Sequence, residues 1–274
     1  MTDLARKTIL ITGSTDGLGK GVAMDLAKKG ATLLLHGRDA GRLSATADAA
    51  RAGGATAVRT YLADLASLDE VRSLALAVRD NESRLDVLIN NAGIGTTVPT
   101  PDRAESRDGY ELRFAVNYLS HFLLTRELLP LLKKSAPARI VNVSSAGQAA
   151  IDFDDPMLER GYSGVRAYCQ SKLAQILFTF DLAEELDGTG VTATALHPAT
   201  YMPTKIVPSP ISTLAEGVRA TVRLAADDDV AGVSGQYFNG LRPTRADSQA
   251  YDKKARARLR ELSDRLVAGF AGAT

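Results

Sequence analysis

The sequence predicts a single-domain α/β protein, a Rossmann-type doubly wound, mostly parallel seven-stranded sheet with helices on both faces. Three observations predict it. Short β-rich runs alternate with longer helical stretches from end to end, as βαβ units around a covered parallel sheet require. The first such run opens straight into a glycine-rich turn and then into the helical pattern of Val22, Ala23, Leu26 and Ala27. No stretch reads as a linker and no fixed-length repeat breaks the rhythm, so residues 1–274 are expected to form one domain. A domain of 274 residues buries roughly three quarters of the surface its unfolded chain would expose, so core size is no obstacle.

Taken in order, strands are expected at 8–12, 32–36, 56–61, 86–90, 139–144, 191–196 and 235–238. Helices fill the gaps at 17–29, 39–52, 67–81, 108–133, 163–187, 212–226 and 247–268. Two connections are longer than the usual two to six residues: 146–164, and 198–212 with its four prolines. Both follow strand C-terminal ends, the edge where doubly wound sheets bind ligands, so they are candidate walls or lids of a substrate pocket. Ordinary surface insertion is the alternative.

Composition narrows the function. With 33 Lys+Arg against 32 Asp+Glu, the formal charge of +1 gives no electrostatic basis for a nucleic-acid partner. The 45% apolar and 24% charged fractions are those of an ordinary globular chain. A lone Cys169 excludes a disulfide within the chain. His36, His121 and His197 lie far apart with no cysteine cluster, so no metal site is expected. No run approaches 18 apolar residues, and the N-terminal run meets a glycine too soon for a signal segment. No membrane span is predicted, and a cytoplasmic location is expected.

The first turn reads Thr12-Gly13-Ser14-Thr15-Asp16-Gly17-Leu18-Gly19. Glycines there permit the tight turn, let backbone approach a pyrophosphate, and allow close packing of helix on strand, while amides at the helix N-terminus face an anion. The Gly-x3-Gly-x-Gly spacing differs from the Gly-x-Gly-x-x-Gly fingerprint, and no Lys-[Ser/Thr] follows as in an NTPase loop. After the second strand, where an acidic residue would bind free ribose hydroxyls, stand His36, Gly37 and Arg38. A guanidinium suits a 2′-phosphate, so NADP(H) is favoured, with NAD(H) left open by the nearby Asp39. Alternatively Arg38 solvates a loop and Asp39 caps the next helix.

Tyr168 and Lys172 fall at i and i+4 on a long helix, a face that continues into Ile176 and Phe180. A lysine among buried neighbours has a use beside a phenol, because an adjacent ammonium favours the phenolate. Alternatively the lysine stem snorkels past a core tyrosine. Cys169 points about 100° away from Tyr168 and has no partnered histidine, so it reads as core packing. The basic run Lys253, Lys254, Arg256, Arg258 and Arg260 reads as a solvated helix face.

Together these residues resemble the short-chain dehydrogenase/reductase family over nearly the whole chain. The resemblance rests on Thr12-Gly13-x3-Gly17-x-Gly19, Asp64-Leu65, Asn90-Asn91-Ala92-Gly93, Asn117, Val143-Ser144-Ser145, Tyr168-x3-Lys172 and His197-Pro198, in that order. TGSTDGLGK, RIVNVSS and YCQSKLAQILFTFDLAEEL further resemble the retinol dehydrogenase and protochlorophyllide reductase branch, although Gln175 stands where that branch has Asn. The resemblance implies that Tyr168 donates or accepts the proton and that Ser145, rather than Ser144, bonds the substrate oxygen. It implies that Lys172 binds the nicotinamide ribose and tunes Tyr168, and that Asn117 positions a relay water. It also places the cofactor on Gly13, Ser14, Thr15, Asp16, Gly17, Leu18, Gly19, Arg38, Asp64, Leu65, Asn90, Ala92, Gly93, Tyr168, Lys172, Pro198 and Thr200. Read singly, Ser144 and Ser145 are turn residues, Asn117 a helix kink and Asp64 a cap. Ala199 follows Pro198 where the family has Gly, and Thr200 and Thr204 flank Pro203 where it has Thr.

The expected activity is hydride transfer between NADP(H) and a carbonyl or alcohol, most simply an apolar one, since Ile151, Phe153, Met157, Tyr201, Met202, Ile206 and Val207 line the two insertions. A non-catalytic cofactor-binding sensor could lose Ser, Tyr or Lys, and this chain has all three. A methyltransferase would want an acidic ribose ligand and has no use for Tyr168 and Lys172. A homo-oligomer is left open.

Overall fold

A computed structural model of the chain describes residues 4–97, 99–200, 202–203 and 211–270. Tyr201, Thr204, Ile206 and Val207 lie outside the described residues, and with them most of the second insertion.

One sheet organises the molecule. Its strands are β1 (Thr8–Ile11), β2 (Thr32–Gly37), β3 (Ala57–Leu62), β4 (Val87–Asn90), β5 (Ala138–Val143), β6 (Val191–His197), β7 (Gln236–Asn239) and β8 (Arg242–Pro243). They lie in the order β3-β2-β1-β4-β5-β6-β7-β8, all parallel except β8, which runs antiparallel to β7. The sheet therefore has eight strands where seven were expected. The eighth is two exposed residues beyond a turn at Gly240, one of them proline, too short to show an alternating pattern.

The helices are α1 (Gly17–Lys28), α2 (Ala40–Ala52), α3 (Leu68–Asn81), α4 (Ser120–Lys134), α5 (Gly164–Glu185), α6 (Leu214–Ala226) and α7 (Lys253–Val267). Strand alternation divides the apolar residues between two layers. Ile9, Ile11, Leu33 and Leu35 face α1, α2 and α6, whereas Leu10 and Leu34 join the layer under α3, α4, α5 and α7. Sequence-local caps start the helices: the side chains of Asp39, Ser67 and Ser163 accept from Arg42, Glu70 and Arg166 amides, and Thr213 forms a capping box with Glu216.

Two expected helices are corrected. The 108–133 helix begins later, as a π-helical turn at Phe114–Leu119 that leads into α4, because Glu105 and Glu111 pair as an antiparallel bridge and Arg113 is wholly buried. That arginine donates to the carbonyls of Gly95, Thr96 and Thr100 and to the Tyr162 hydroxyl, so it ties the chain after β4 to the chain before α5. The 247–268 helix divides into a 3-10 turn at Ser248–Tyr251 and α7, which Asp252 caps.

The 146–164 insertion is pinned along its length. Ile151 exchanges main-chain hydrogen bonds with the Gln249 side chain, the Asp152 amide donates to Gln170, and Asp155 accepts from the Glu159 and Arg160 amides. Ile151, Phe153 and Met157 turn onto the core. On α7, Arg256 and Lys253 meet Glu184, Arg258 meets Asp154 and Arg260 meets Asp181.

Candidate active site

The C-terminal ends of β1, β2, β4, β5 and β6 bring the motif residues together. At the first turn Gly13 and Gly17 take positive φ values of 64° and 48°, which glycine adopts without strain. A Cβ on Gly19 would lie 2.3 Å from the Gly13 carbonyl oxygen and 2.4 Å from Asn91 Nδ2, so the helix approaches the turn as only glycine allows. Asp16 caps α1 by accepting from the Gly17 amide, and Leu18 is buried. Ser14 is buried, and both its amide and its hydroxyl donate to the His36 carbonyl. Thr15 fills the space beside Gly37, whose Cβ would meet Thr15 Cγ2 at 2.5 Å. Arg38 follows, exposed at the end of β2, and Asp39 accepts from the Arg42 amide as the cap of α2.

Three residues brace this turn without having been assigned to the site from sequence. His36 Nδ1 accepts from the Gly13 amide at 3.1 Å, which makes Nε2 the donor to the Ala63 carbonyl. Burial pulls His36 down to about 4, so the ring stays neutral and keeps that acceptor. Asn91 Nδ2 donates to the Thr12 and Gly13 carbonyls. The Thr12 hydroxyl accepts from the Asn91 and Ala92 amides and meets His121 Nε2 at 3.0 Å. His121 Nδ1 then donates to the Asn117 carbonyl, and burial holds this ring at about 3.

Asn117 sits in the π-helical turn and is buried. Its Oδ1 accepts from the Ile94 amide at 2.8 Å, and its Nδ2 donates to the Ile94 carbonyl and to Ser171 Oγ. The side chain thus fixes the strand end against α5. Asn90 faces inward, bonding Thr125 and Asn142. Leu65 is buried, and Asp64 accepts from the Ala66 amide and stands 3.7 Å from Arg107.

The two adjacent serines point apart. Ser144 Oγ donates to the Lys172 carbonyl and serves the packing of α5. Ser145 Oγ accepts from the Gly147 amide at 3.0 Å, and a Cβ on Gly147 would lie 3.6 Å from that oxygen and 3.7 Å from Tyr168 Cε1. Ser145 and Tyr168 therefore both border Gly147. Lys172 Nζ lies 5.8 Å from the Tyr168 ring centre and donates to the Val143 carbonyl and to Gln175 Oε1. Burial alone pulls this ammonium down to about 7. Cys169 is half-buried, and burial raises its thiol, the opposite of nucleophile activation. At the end of β6, His197 Nε2 meets Thr200 Oγ1 at 3.0 Å beside Pro198.

The residues present fit a dinucleotide. Gly13, Gly17 and Gly19 leave backbone where a pyrophosphate would approach the N-terminus of α1. A Cβ on Gly93 would lie 3.4 Å from Lys172 Nζ and 3.2 Å from Asn117 Oδ1, so the floor between them is kept clear. Among the described residues no cluster of His, Cys, Asp and Glu could hold a metal, and no helix is long and apolar enough to cross a membrane.

Comparison with known proteins agrees with this geometry. The family model for short chain dehydrogenases matches residues 7–211. The chain is 39% identical to human retinol dehydrogenase 13 over 95% of its length and 84% of the relative's. It is 38% identical to mouse retinol dehydrogenase 14, covering 95% and 86% of the two chains. Among solved structures, a Pseudomonas aeruginosa RhlG/NADP complex superposes with a TM-score of 0.70 at 28% identity, over 87% of this chain and 97% of that one. A Shigella flexneri chain complexed with NADP gives 0.72 at 26% identity, over 88% and 100%.

Proposed function

The chain belongs to the short-chain dehydrogenase/reductase family, a nicotinamide-dependent oxidoreductase acting on alcohol and carbonyl groups, and from that premise we propose that it prefers NADP(H) and acts on an apolar substrate. The observation that carries the reading is the convergence of Ser145, Tyr168 and Lys172 beside the glycine turn. Bound there, the nicotinamide supplies hydride to a carbonyl carbon or takes it from an alcohol.

Gly13, Gly17 and Gly19 would hold the pyrophosphate on the α1 N-terminus, and Arg38 would meet the 2′-phosphate of the adenosine ribose. Lys172 would hold the nicotinamide ribose, and Pro198 and Thr200 would edge the carboxamide. Ser145 Oγ and the Tyr168 hydroxyl meet the substrate oxygen, where negative charge develops during reduction, and Tyr168 delivers its proton to that oxygen. Oxidation runs the same steps in reverse, with Tyr168 receiving the proton. Support for NADP(H) comes from Arg38, since the nearest acid, Asp39, is engaged as a helix cap.

The retinol dehydrogenase relatives make retinal and other apolar aldehydes the first compounds to try. A panel of aldehydes and ketones, followed by loss of reduced-cofactor absorbance, should show turnover with NADPH above that with NADH and highest for apolar compounds. A preference for NADH, or for charged substrates, would overturn the proposal.

A further inference from the structure

Gln175 lies one turn beyond Lys172 on α5 and is 1% exposed. Its Oε1 accepts from Lys172 Nζ at 3.0 Å, and the Val143 carbonyl accepts from the same ammonium at 2.9 Å. An ammonium has three N–H donors. Two are fixed by these neutral oxygens, which leaves the third for the space over Gly93. The amide's orientation follows from the chemistry, because turned over it would set N–H against N–H. In this orientation Gln175 Nε2 is buried with no partner among the described residues, so the fold bears an unsatisfied donor to bring the oxygen to Lys172.

The position is braced from the sheet. Gln175's own carbonyl accepts from Thr179 Oγ1, which accepts from Asn142 Nδ2, and Asn142 Oδ1 accepts from Asn90 Nδ2. A buried polar chain thus runs from β4 through β5 to α5 and ends at the Gln175 main-chain carbonyl, fixing the backbone that carries the amide.

We propose that Gln175 is the positioning residue for Lys172, holding its ammonium toward the cofactor ribose and setting how far up the pH scale that charge persists. This rests on the hydride-transfer reading above. The titratable groups facing the ammonium are Tyr168 on the same helix, His121 from α4 and His197 from the end of β6. None is a carboxylate. With burial working against the charge, the acceptors that hold the proton are neutral ones.

The test titrates the cofactor-free full-length protein labelled with 13Cε-lysine, with the Lys172 signal assigned by its loss in Lys172→Met. Gln175→Leu removes an acceptor of the charged form and should lower the Lys172 midpoint by about one pH unit. Gln175→Glu keeps an oxygen in place and adds a charge, and should raise it by about one pH unit or more. The high-pH limb of kcat/KM for NADPH in the reduction direction should move the same two ways. Gln175→Leu should also weaken NADPH binding about tenfold, with Gln175→Glu restoring it.

Midpoints that stay at the wild-type value, or move together, overturn the proposal. If Gln175→Leu does not fold, Gln175→Glu decides alone, and no rise is a refutation. Because the titration needs no cofactor, opposed shifts in a protein with no NAD(P)H-dependent turnover would sink the hydride-transfer reading and leave the Gln175–Lys172 coupling standing.

Discussion

The two edges of the parallel sheet handle buried charge in opposite ways. At the N-terminal edge lies a cavity of about 470 Å³ lined by Lys7, Asp86, Arg139, Asp187 and Asp228. There charges meet opposite charges or carbonyls that need them: Asp86 takes Lys7 and Arg84, and Arg139 caps the end of α6 through the Leu224 and Asp227 carbonyls. At the C-terminal edge Lys172 has only carbonyl acceptors, and His36 and His121 are held neutral. Charge neutralised at one edge holds strand ends together. Charge left among neutral dipoles at the other stays available for chemistry. The cavity at the N-terminal edge is thus a poor guide to the site, because Lys7, Asp86 and Arg139 are already committed.

The comparison breaks first at Tyr168. Replacing it by Phe keeps the ring and removes the transferable proton, so kcat should fall by about 10²–10⁴ while NADPH affinity and melting temperature hold. Rapid-mixing measurement of the chemical step checks this, and retention of most of the turnover with chemistry rate-limiting would remove Tyr168 from the mechanism. Next comes Arg38, exposed and outside the catalytic group. Arg38→Ala should weaken NADPH binding about 10–100-fold, the scale of one charge-assisted contact, and leave NADH nearly unchanged. Titration calorimetry with the two cofactors decides it, since equal losses would mean that Arg38 does not read the 2′-phosphate.

These two residues were legible in the sequence because their signals are local. Tyr168 and Lys172 lie one turn apart, the glycine spacing sits within seven residues of chain, and Arg38 follows a plain apolar strand. His36 and His121 were not. Their partners Gly13 and Thr12 are 23 and 109 positions away, so nothing beside them marks the contact. Arg113 likewise carries no local mark: its burial rests on the Gly95, Thr96 and Thr100 carbonyls, the Tyr162 hydroxyl and the buried Glu111 carboxylate 3.7 Å away. Gln175 stood out in sequence only as a departure from Asn, and its bond to Lys172 gives the departure a physical meaning.

The smallest expected effect belongs to the N-terminal edge. Asp86 is 1% exposed, so burial pushes its carboxyl up. Hydrogen bonds from Arg84, the Thr8 amide and Lys7 outweigh that and hold it below the usual carboxylate range. Asp86→Asn keeps the shape and an acceptor for Thr8 while removing the charge. Because Lys7 and Arg84 are themselves partly solvated, the loss should be only about 1–2 kcal/mol at pH 7. A folded-state pKa below the unfolded one stabilises the protein above the unfolded value, and that stability is lost as pH falls through the folded value. Denaturant unfolding should therefore show the widest gap between wild type and Asp86→Asn at neutral pH, closing as both are acidified. Turnover should not change, since none of these groups reaches the opposite edge. A gap that is constant with pH would mean that Asp86 acts through shape, and a loss of turnover would mean that the two edges are coupled.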